Sequence, residues 1–414
     1  MHFASRSILC VLVVCFLTLS SAIAAPDGPV GCDPKSYADL VSCADKRSSS
    51  IAISIQQLRS AQGLVGIAEQ RLNPELNADS VHRGTSGSES NATLLFPIRL
   101  GGKRSAIINE AKNEVERAKA VTELEVQESR LSLMLSLYRL AHVKREITLA
   151  SETVETYSKI VGQFEKRPAL SPEQDVSLSV FRMASADYRL RLTNLKADEE
   201  SLYQSLTALT GIPRASVSGN LPAPKKEWLT IGGVGLPDGS PQLRVAIADV
   251  QLAKSRLDRA EADAWPDLRV GPSVKATKEN GESNTYVGVG LSIPLPVFSR
   301  NAAGKAYGAQ RVSEAELIFD QTRRKALATR DELINRYTQT VQSLKGSLSL
   351  DTLNGKHDRL EKQFFKGLVP SALVIEAHRQ LFDLEQRHNT SELEALEALG
   401  RLLILDNKFN EVIL

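Results

Sequence analysis

The sequence predicts a mainly α-helical chain with a membrane β portion and an internal duplication. Three observations carry that expectation: long proline-free stretches with coiled-coil spacing, four short segments that alternate apolar and polar residues, and the same order of motifs in both halves.

At the N-terminus Arg6 precedes an apolar run from Ile8 to about Leu19 that ends at Ala22, Ile23 and Ala24. This is the layout of a secretory signal peptide over residues 1–24, and Pro26 disfavours a cut one residue later. The competing reading is a membrane anchor, but the run is shorter than the roughly 20 residues a spanning helix needs. No later stretch reaches about 18 consecutive apolar residues, so any further crossing has to use strands closed into a barrel.

Lys and Arg total 51 against 49 Asp and Glu, a balance that gives no electrostatic reason to expect nucleic acid as a partner. With 5% aromatic and 24% charged residues, the composition suits long, charge-laced helices better than a large aromatic core. Cys10 and Cys15 leave with the signal peptide. Cys32 and Cys43 remain as a candidate disulfide, which an oxidising compartment permits and the pair alone does not establish. Pro29-Val30-Gly31-Cys32 fits a lipidation signal poorly.

The duplication is read from matching segments. AEQRLNPELNADS from Ala68 parallels AEADAWPDLRVGPS from Ala260, with Pro74 and Pro266 in register. TLLFPIRLGGKRSAII from Thr93 parallels GLSIPLPVFSRNAAGKA from Gly290, and Gln163-Phe164-Glu165-Lys166 parallels Gln363-Phe364-Phe365-Lys366. The expected organisation is a first repeat over residues 25–210, a Gly- and Pro-rich linker over 211–240, and a second repeat over 241–414. Each repeat holds a helix, two strands and a helical hairpin. The strands fall at about 75–84, 91–100, 266–278 and 284–296, and the hairpins at about 103–210 and 302–406.

In the first hairpin Val143, Ile147, Ala150, Val154, Tyr157, Val161 and Phe164 follow alternating four- and three-residue steps, the seam of a coiled coil. Phe181, Ala184, Tyr188, Leu195, Leu202 and Leu206 supply the partner face. Pro168 and Pro172 mark the reversal, since proline removes a donor and disfavours helix in the residue before it. On periodicity alone, a tether-like coiled coil is an equal reading.

The strands shift the balance toward a membrane channel, with a soluble periplasmic coiled-coil tether kept as the alternative. Val287, Val289, Leu291 and Ile293 alternate with Tyr286, Gly288, Gly290 and Ser292, and Asn280-Gly281 sits in the turn before them. Leu94, Phe96, Ile98 and Leu100 form an equivalent stripe. A soluble two-hairpin sheet lying on the helices is the bland alternative. Export and strands of about 9 to 11 residues favour the membrane. Four strands are too few for a barrel, whose smallest single-chain forms have about eight, so several chains have to contribute to one.

These segments together resemble the TolC family of outer-membrane efflux proteins over essentially the whole mature chain. SPQLRVAIADVQLAKSRLDRAEADAWPDLRVG, GVGLSIPLPVFSRNAAGKAYGA and LTALTGIP carry the resemblance, and IPLPVFSRN is similar to the heavy-metal-efflux branch. The resemblance implies a homotrimer with a twelve-stranded β-barrel in outer-membrane lipid and an α-barrel in the periplasm. It further implies a periplasmic adaptor (membrane fusion) protein and an inner-membrane pump of the resistance-nodulation-division type. An ATP-driven protein secretion system is the alternative assembly. Adaptor docking carries over to the hairpin tips, Gly367, Leu368 and Val369 in the second repeat and Ala169, Leu170 and Ser171 in the first, where simple helix reversal is the alternative. Glu376 carries over as a pore constriction, although Leu373 stands where the family often has a second acid, and a plain solvated Glu376 fits the sequence as well.

No nucleophile elbow, phosphate loop or zinc-binding helix motif is present, so neither an enzyme nor a cofactor site is expected. His82, His142, His357, His378 and His388 are scattered, and no metal-ligand set is expected.

Overall fold

A computed structural model describes residues 32, 34–83, 87–231, 239–279, 282–347 and 350–411. The expected signal peptide lies outside the described residues.

In chain order the elements are helices α1 (Tyr37–Arg47) and α2 (Ser49–Glu69), strands β1 (Glu75–His82) and β2 (Gly87–Arg99), and helices α3 (Lys103–Glu165), α4 (Pro172–Thr210) and α5 (Arg214–Ser218). There follow α6 (Pro241–Ala262), β3 (Asp267–Glu279), β4 (Glu282–Ser292), α7 (Ala302–Gly346), α8 (Leu350–Phe365) and α9 (Ser371–Leu405). A short 3-10 turn at Phe409–Glu411 closes the described chain.

The axis of the molecule is α3, whose 63 residues reach about 95 Å at ~1.5 Å per residue. Over its first half it packs on α2 and α6, tied by Thr122 to the Ser54 carbonyl and by Glu110 to Arg259 at 2.9 Å. Over its second half it packs on α4 and α9. At the waist between these sections lies the main core, where Leu40, Met134, Leu137, Leu140, Leu206, Leu396 and Leu399 are each at most 2% exposed. Burial on that scale contributes roughly 1.5–3 kcal/mol per side chain.

Below the waist a second cluster joins Val143, Ala150, Tyr157 and Ile160 of α3 to Phe181, Tyr188 and Leu195 of α4 and to Phe382 of α9. The four- and three-residue spacing puts these side chains on one seam. The first reversal is fixed by a capping box, in which Ser171 and Gln174 hydrogen-bond each other's backbone while Pro172 opens α4.

The four strands make one sheet in the order β1-β2-β3-β4, antiparallel throughout. Its central ladder, β2 on β3, joins the two halves of the chain, with Arg99 opposite Asp267 and Gly87 opposite Glu279. A Cβ on Gly271 would collide with the Leu94 carbonyl oxygen, so the close approach of β2 requires glycine there. Pro272 beside it has no N–H to donate, and the pairing with β2 skips this point.

The structure differs from the expected boundaries in four places. β2 begins at Gly87 rather than about residue 91, because polar Ser88, Glu89 and Ser90 pair with His82, Val81 and Ser80. β4 stops at Ser292 rather than 296, where Pro294 and Pro296 supply no donors. The rising arm of the second hairpin is interrupted after Gly346 and resumes at Leu350. The stretch expected as a plain linker carries α5 and packs Leu221, Trp228 and Ile231 against the main core.

Candidate functional site

Three features position chemistry: the two faces of the sheet, the hairpin tips, and a polar cluster where the helices meet.

Residues opposite one another in an antiparallel ladder share a face. The register therefore sorts the sheet completely. One face carries Leu76 and Ala78 of β1, Ala92, Leu94, Phe96 and Ile98 of β2, Leu268, Val270, Pro272 and Val274 of β3, and Val287, Val289 and Leu291 of β4. It is apolar across all four strands and bare, with Val287 80%, Val289 76% and Leu291 67% exposed. Its far rim is polar, formed by Ser80, Ser90 and Thr285 around Ala276 and, beyond them, by His82, Ser88, Lys278 and Ser283.

The opposite face is laced with hydrogen bonds and ion pairs. Asn91 bonds Asp79 at 3.3 Å, Thr93 bonds Ser273 at 3.2 Å, and Arg269 pairs with Glu75 at 3.0 Å. Lys275 pairs with Glu89. Small residues Gly288 and Gly290 complete this face, and a side chain on Gly290 would meet Thr93. In this single chain β1 and β4 are both unpaired edges.

The two tips are built differently. At the second, Gly367 takes φ +74°, and Leu368 donates its N–H back to the Gln363 carbonyl at 3.1 Å, a left-handed helix cap. Leu368 is 72% exposed at the apex, and Val369 is half-buried. At the first tip Ala169 and Ser171 are exposed and Leu170 is half-buried, with no positive-φ residue. Glu376 stands on α9 just past the second tip. Arg379 takes both its carboxylate oxygens, at 2.7 and 2.9 Å, and Gln380 adds a third bond, which together hold its carboxyl below the ordinary range.

Sequence reading missed the clusters that tie the two hairpins together. Arg191 of α4 lies over the rings of Tyr188 and of Phe382 from α9, at 5.4 and 5.3 Å, and pairs with Asp187 and Asp383. Nearer the waist, fully buried His142 of α3 meets Glu392 of α9 through Nε2 at 2.9 Å. The second oxygen of Glu392 accepts the N–H of Lys225 from the inter-repeat segment, and Arg145 lies 3.4 Å away. Asn389 joins Arg145 to Glu146, a second buried carboxylate. Burial pushes the Glu392 carboxyl up, but the His142 and Lys225 hydrogen bonds and the charges of His142 and Arg145 outweigh it and leave the group below the usual carboxylate range. The one signal in the sequence was polar residues on an otherwise apolar seam.

Cys32 and Cys43 are joined, with Cα atoms 6.0 Å apart, holding the segment before α1 to that helix. Among the described residues no group of three or more His, Cys, Asp and Glu is arranged to hold a metal ion. No described helix is long and apolar enough to cross a membrane.

Residues 237–407 match the family model of outer membrane efflux proteins. The chain is 26% identical over 376 residues to the cobalt-zinc-cadmium resistance protein CzcC of Cupriavidus metallidurans, covering 86% of this chain and 84% of that one. It is 25% identical over 350 residues to the nickel-cobalt-cadmium resistance protein NccC of Alcaligenes xylosoxydans xylosoxydans, covering 81% and 76%. In fold it is similar to the open-state MtrE outer membrane channel of Neisseria gonorrhoeae, with a TM-score of 0.71 at 14% identity, covering 90% of this chain and 89% of that one. An amphipathic sheet on long helical hairpins, with these likenesses, marks an outer-membrane channel protein. Residues 237–407 thus carry the pattern of the outer membrane efflux proteins, and these likenesses together support an efflux channel of the outer membrane whose helical part stands in the periplasm.

Proposed function

We propose that three copies of the chain close their sheets into one twelve-stranded barrel and their hairpins into a helical tunnel, forming a passive exit duct for divalent metal cations. The observation that carries this reading is the bare apolar sheet face with an unpaired strand at each edge. In lipid an unpaired strand edge leaves backbone groups without partners at several kcal/mol each, and ring closure removes that cost. Likeness to the two metal-resistance proteins supports metal cations as cargo.

The matching order of elements on either side of residues 211–240 supports a duplicated chain, with 25–210 and 241–414 as its repeats. In this reading an inner-membrane pump supplies the energy, and a periplasmic adaptor docks at Gly367, Leu368 and Val369, with Ala169, Leu170 and Ser171 as the companion tip. Glu376 lines the constriction above the tip as a neutralised pair with Arg379.

The test is deletion of the gene followed by growth in cobalt, zinc, cadmium and nickel salts, beside dyes and antibiotics. Metal-selective sensitivity restored by the wild-type gene is expected. Sensitivity confined to organic compounds overturns the cargo, and a purified protein that stays monomeric without detergent overturns the duct. A narrower test addresses the tip. Nothing lies within 4 Å of a Cβ built on Gly367, so Gly367→Ala carries only the backbone cost of its positive φ, about 1–2 kcal/mol. It is expected to lower metal resistance while leaving oligomer assembly and melting of the barrel unchanged.

A further inference from the structure

The apolar band of the sheet is short for the membrane it crosses. On β3 its apolar positions run at most from Leu268 to Ala276, whose ladder neighbours Ser90 and Thr285 already begin the polar rim that Lys278 and Ser283 continue. About eight residue steps at ~3.3 Å, tilted ~40°, give roughly 20 Å along the membrane normal, against the ~25 Å apolar band typical of such barrels. The shortfall falls at the helix end of the sheet, since polar residues fix the other rim.

At that end the two passages from strand to helix are unlike. β2 reaches α3 through Leu100, Gly101 and Gly102 alone. β4 reaches α7 through Ile293-Pro294-Leu295-Pro296-Val297-Phe298-Ser299-Arg300-Asn301. Pro294 and Pro296 keep this strap from extending the sheet. It is held at its start, where Ser292 pairs with Arg269, and at its end, where Asn301 donates to the Ala260 carbonyl at 2.8 Å. Between those anchors its apolar side chains stand free: Leu295 is 73%, Val297 71% and Phe298 100% exposed. Ile293 continues the alternation of Val287, Val289 and Leu291, so the strap prolongs the lipid-facing surface without a break. Trp265, 59% exposed where α6 passes to β3, stands at the same end of the sheet, and exposed Arg300 follows the strap. Aromatic rings and cations at an apolar boundary match the headgroup zone.

We propose that residues 293–298 lie in the periplasmic leaflet of the outer membrane as an interfacial strap, completing the apolar band with Phe298 at the boundary between acyl chains and headgroups. The inference rests on the reading of the sheet as a lipid-embedded barrel.

The test places single cysteines at Phe298, Leu295, Val289 and Leu368 in the full-length protein, labels them with a polarity-sensitive fluorophore, and reconstitutes each in phosphatidylethanolamine–phosphatidylglycerol vesicles. Quenchers are aqueous iodide and lipids carrying a nitroxide near the headgroup or near the chain end. Labels at 298 and 295 are expected to show blue-shifted emission, protection from iodide, and stronger quenching by the shallow nitroxide than by the deep one. Leu368, at the exposed tip, reports full access to iodide. Iodide access at 298 equal to that at 368 overturns the strap, as does protection from both iodide and lipid, which would mean that a neighbouring copy covers it. Stronger quenching from the deep nitroxide overturns its interfacial placement. Val289 separates the two readings: lipid quenching there with none at 298 defeats the strap alone, whereas none at either position defeats the barrel.

Discussion

Val289→Arg is expected to abolish the membrane-assembled form. Val289 is 76% exposed in the middle of the apolar face, opposite Pro272 on β3, with Val287 and Leu291 on either side. A guanidinium near the bilayer midplane costs a barrel about 2–4 kcal/mol per chain. If three chains close one barrel the cost is incurred three times, comparable to the whole stability of an ordinary domain. The measurement is the yield of detergent-extracted, heat-resistant oligomer from the outer-membrane fraction, which should fall below detection. Gly288→Ser, one residue away on the polar face with nothing within 4 Å of its Cβ, should leave that yield unchanged. Equal yields from both variants would show that the apolar face does not meet lipid.

Glu392→Ala is expected to be the most damaging single change in the helical part. The carboxylate answers His142, Arg145 and the Lys225 N–H at once, and it is 1% exposed. Removing one partner of a buried ionic cluster costs about 3–5 kcal/mol, because the remaining groups stay buried without a counter-charge. Its pH dependence has a definite sign. The folded-state pKa lies below the ordinary value of 4.5, so the contribution is complete above that value and is lost as pH falls through the lower folded pKa. Melting temperature followed from neutral pH down into this acid window should drop in the wild type. Glu392→Gln should start lower at neutral pH and change less across that window. Parallel curves would show that Glu392 does not carry the acid sensitivity.

The sequence made some of this legible for definite reasons. A seam such as Val143 to Phe164 repeats one spacing over many turns, so helix type and hairpin partner follow from periodicity. Val287 to Ile293 alternates cleanly because one face of the ladder collects apolar side chains and the other holds small or polar residues. The inter-repeat segment was opaque because its fixed points, the packing of Leu221, Trp228 and Ile231 on the core and single contacts such as Tyr337 donating to the Leu229 carbonyl and the Lys225 N–H donating to Glu392, follow no period. The Arg191 clasp and the His142–Glu392 pair join residues on helices far apart in the chain, which no local pattern encodes. The break after Gly346 likewise falls in a stretch with no proline to announce it.

The ladder between β2 and β3 has a consequence for biogenesis. It joins segments separated by roughly 170 residues, and contacts so remote in sequence form late because a long loop has to be closed first. Until β3 has left the translocon, the hairpin of β1 and β2 is a two-stranded ribbon with a greasy side and no mate, marginal in water on its own. A nascent chain stalled short of Asp267 therefore has nothing to complete its sheet. Safe passage across the aqueous periplasm then depends on holding the early hairpin apart from its counterparts on other chains until synthesis is finished.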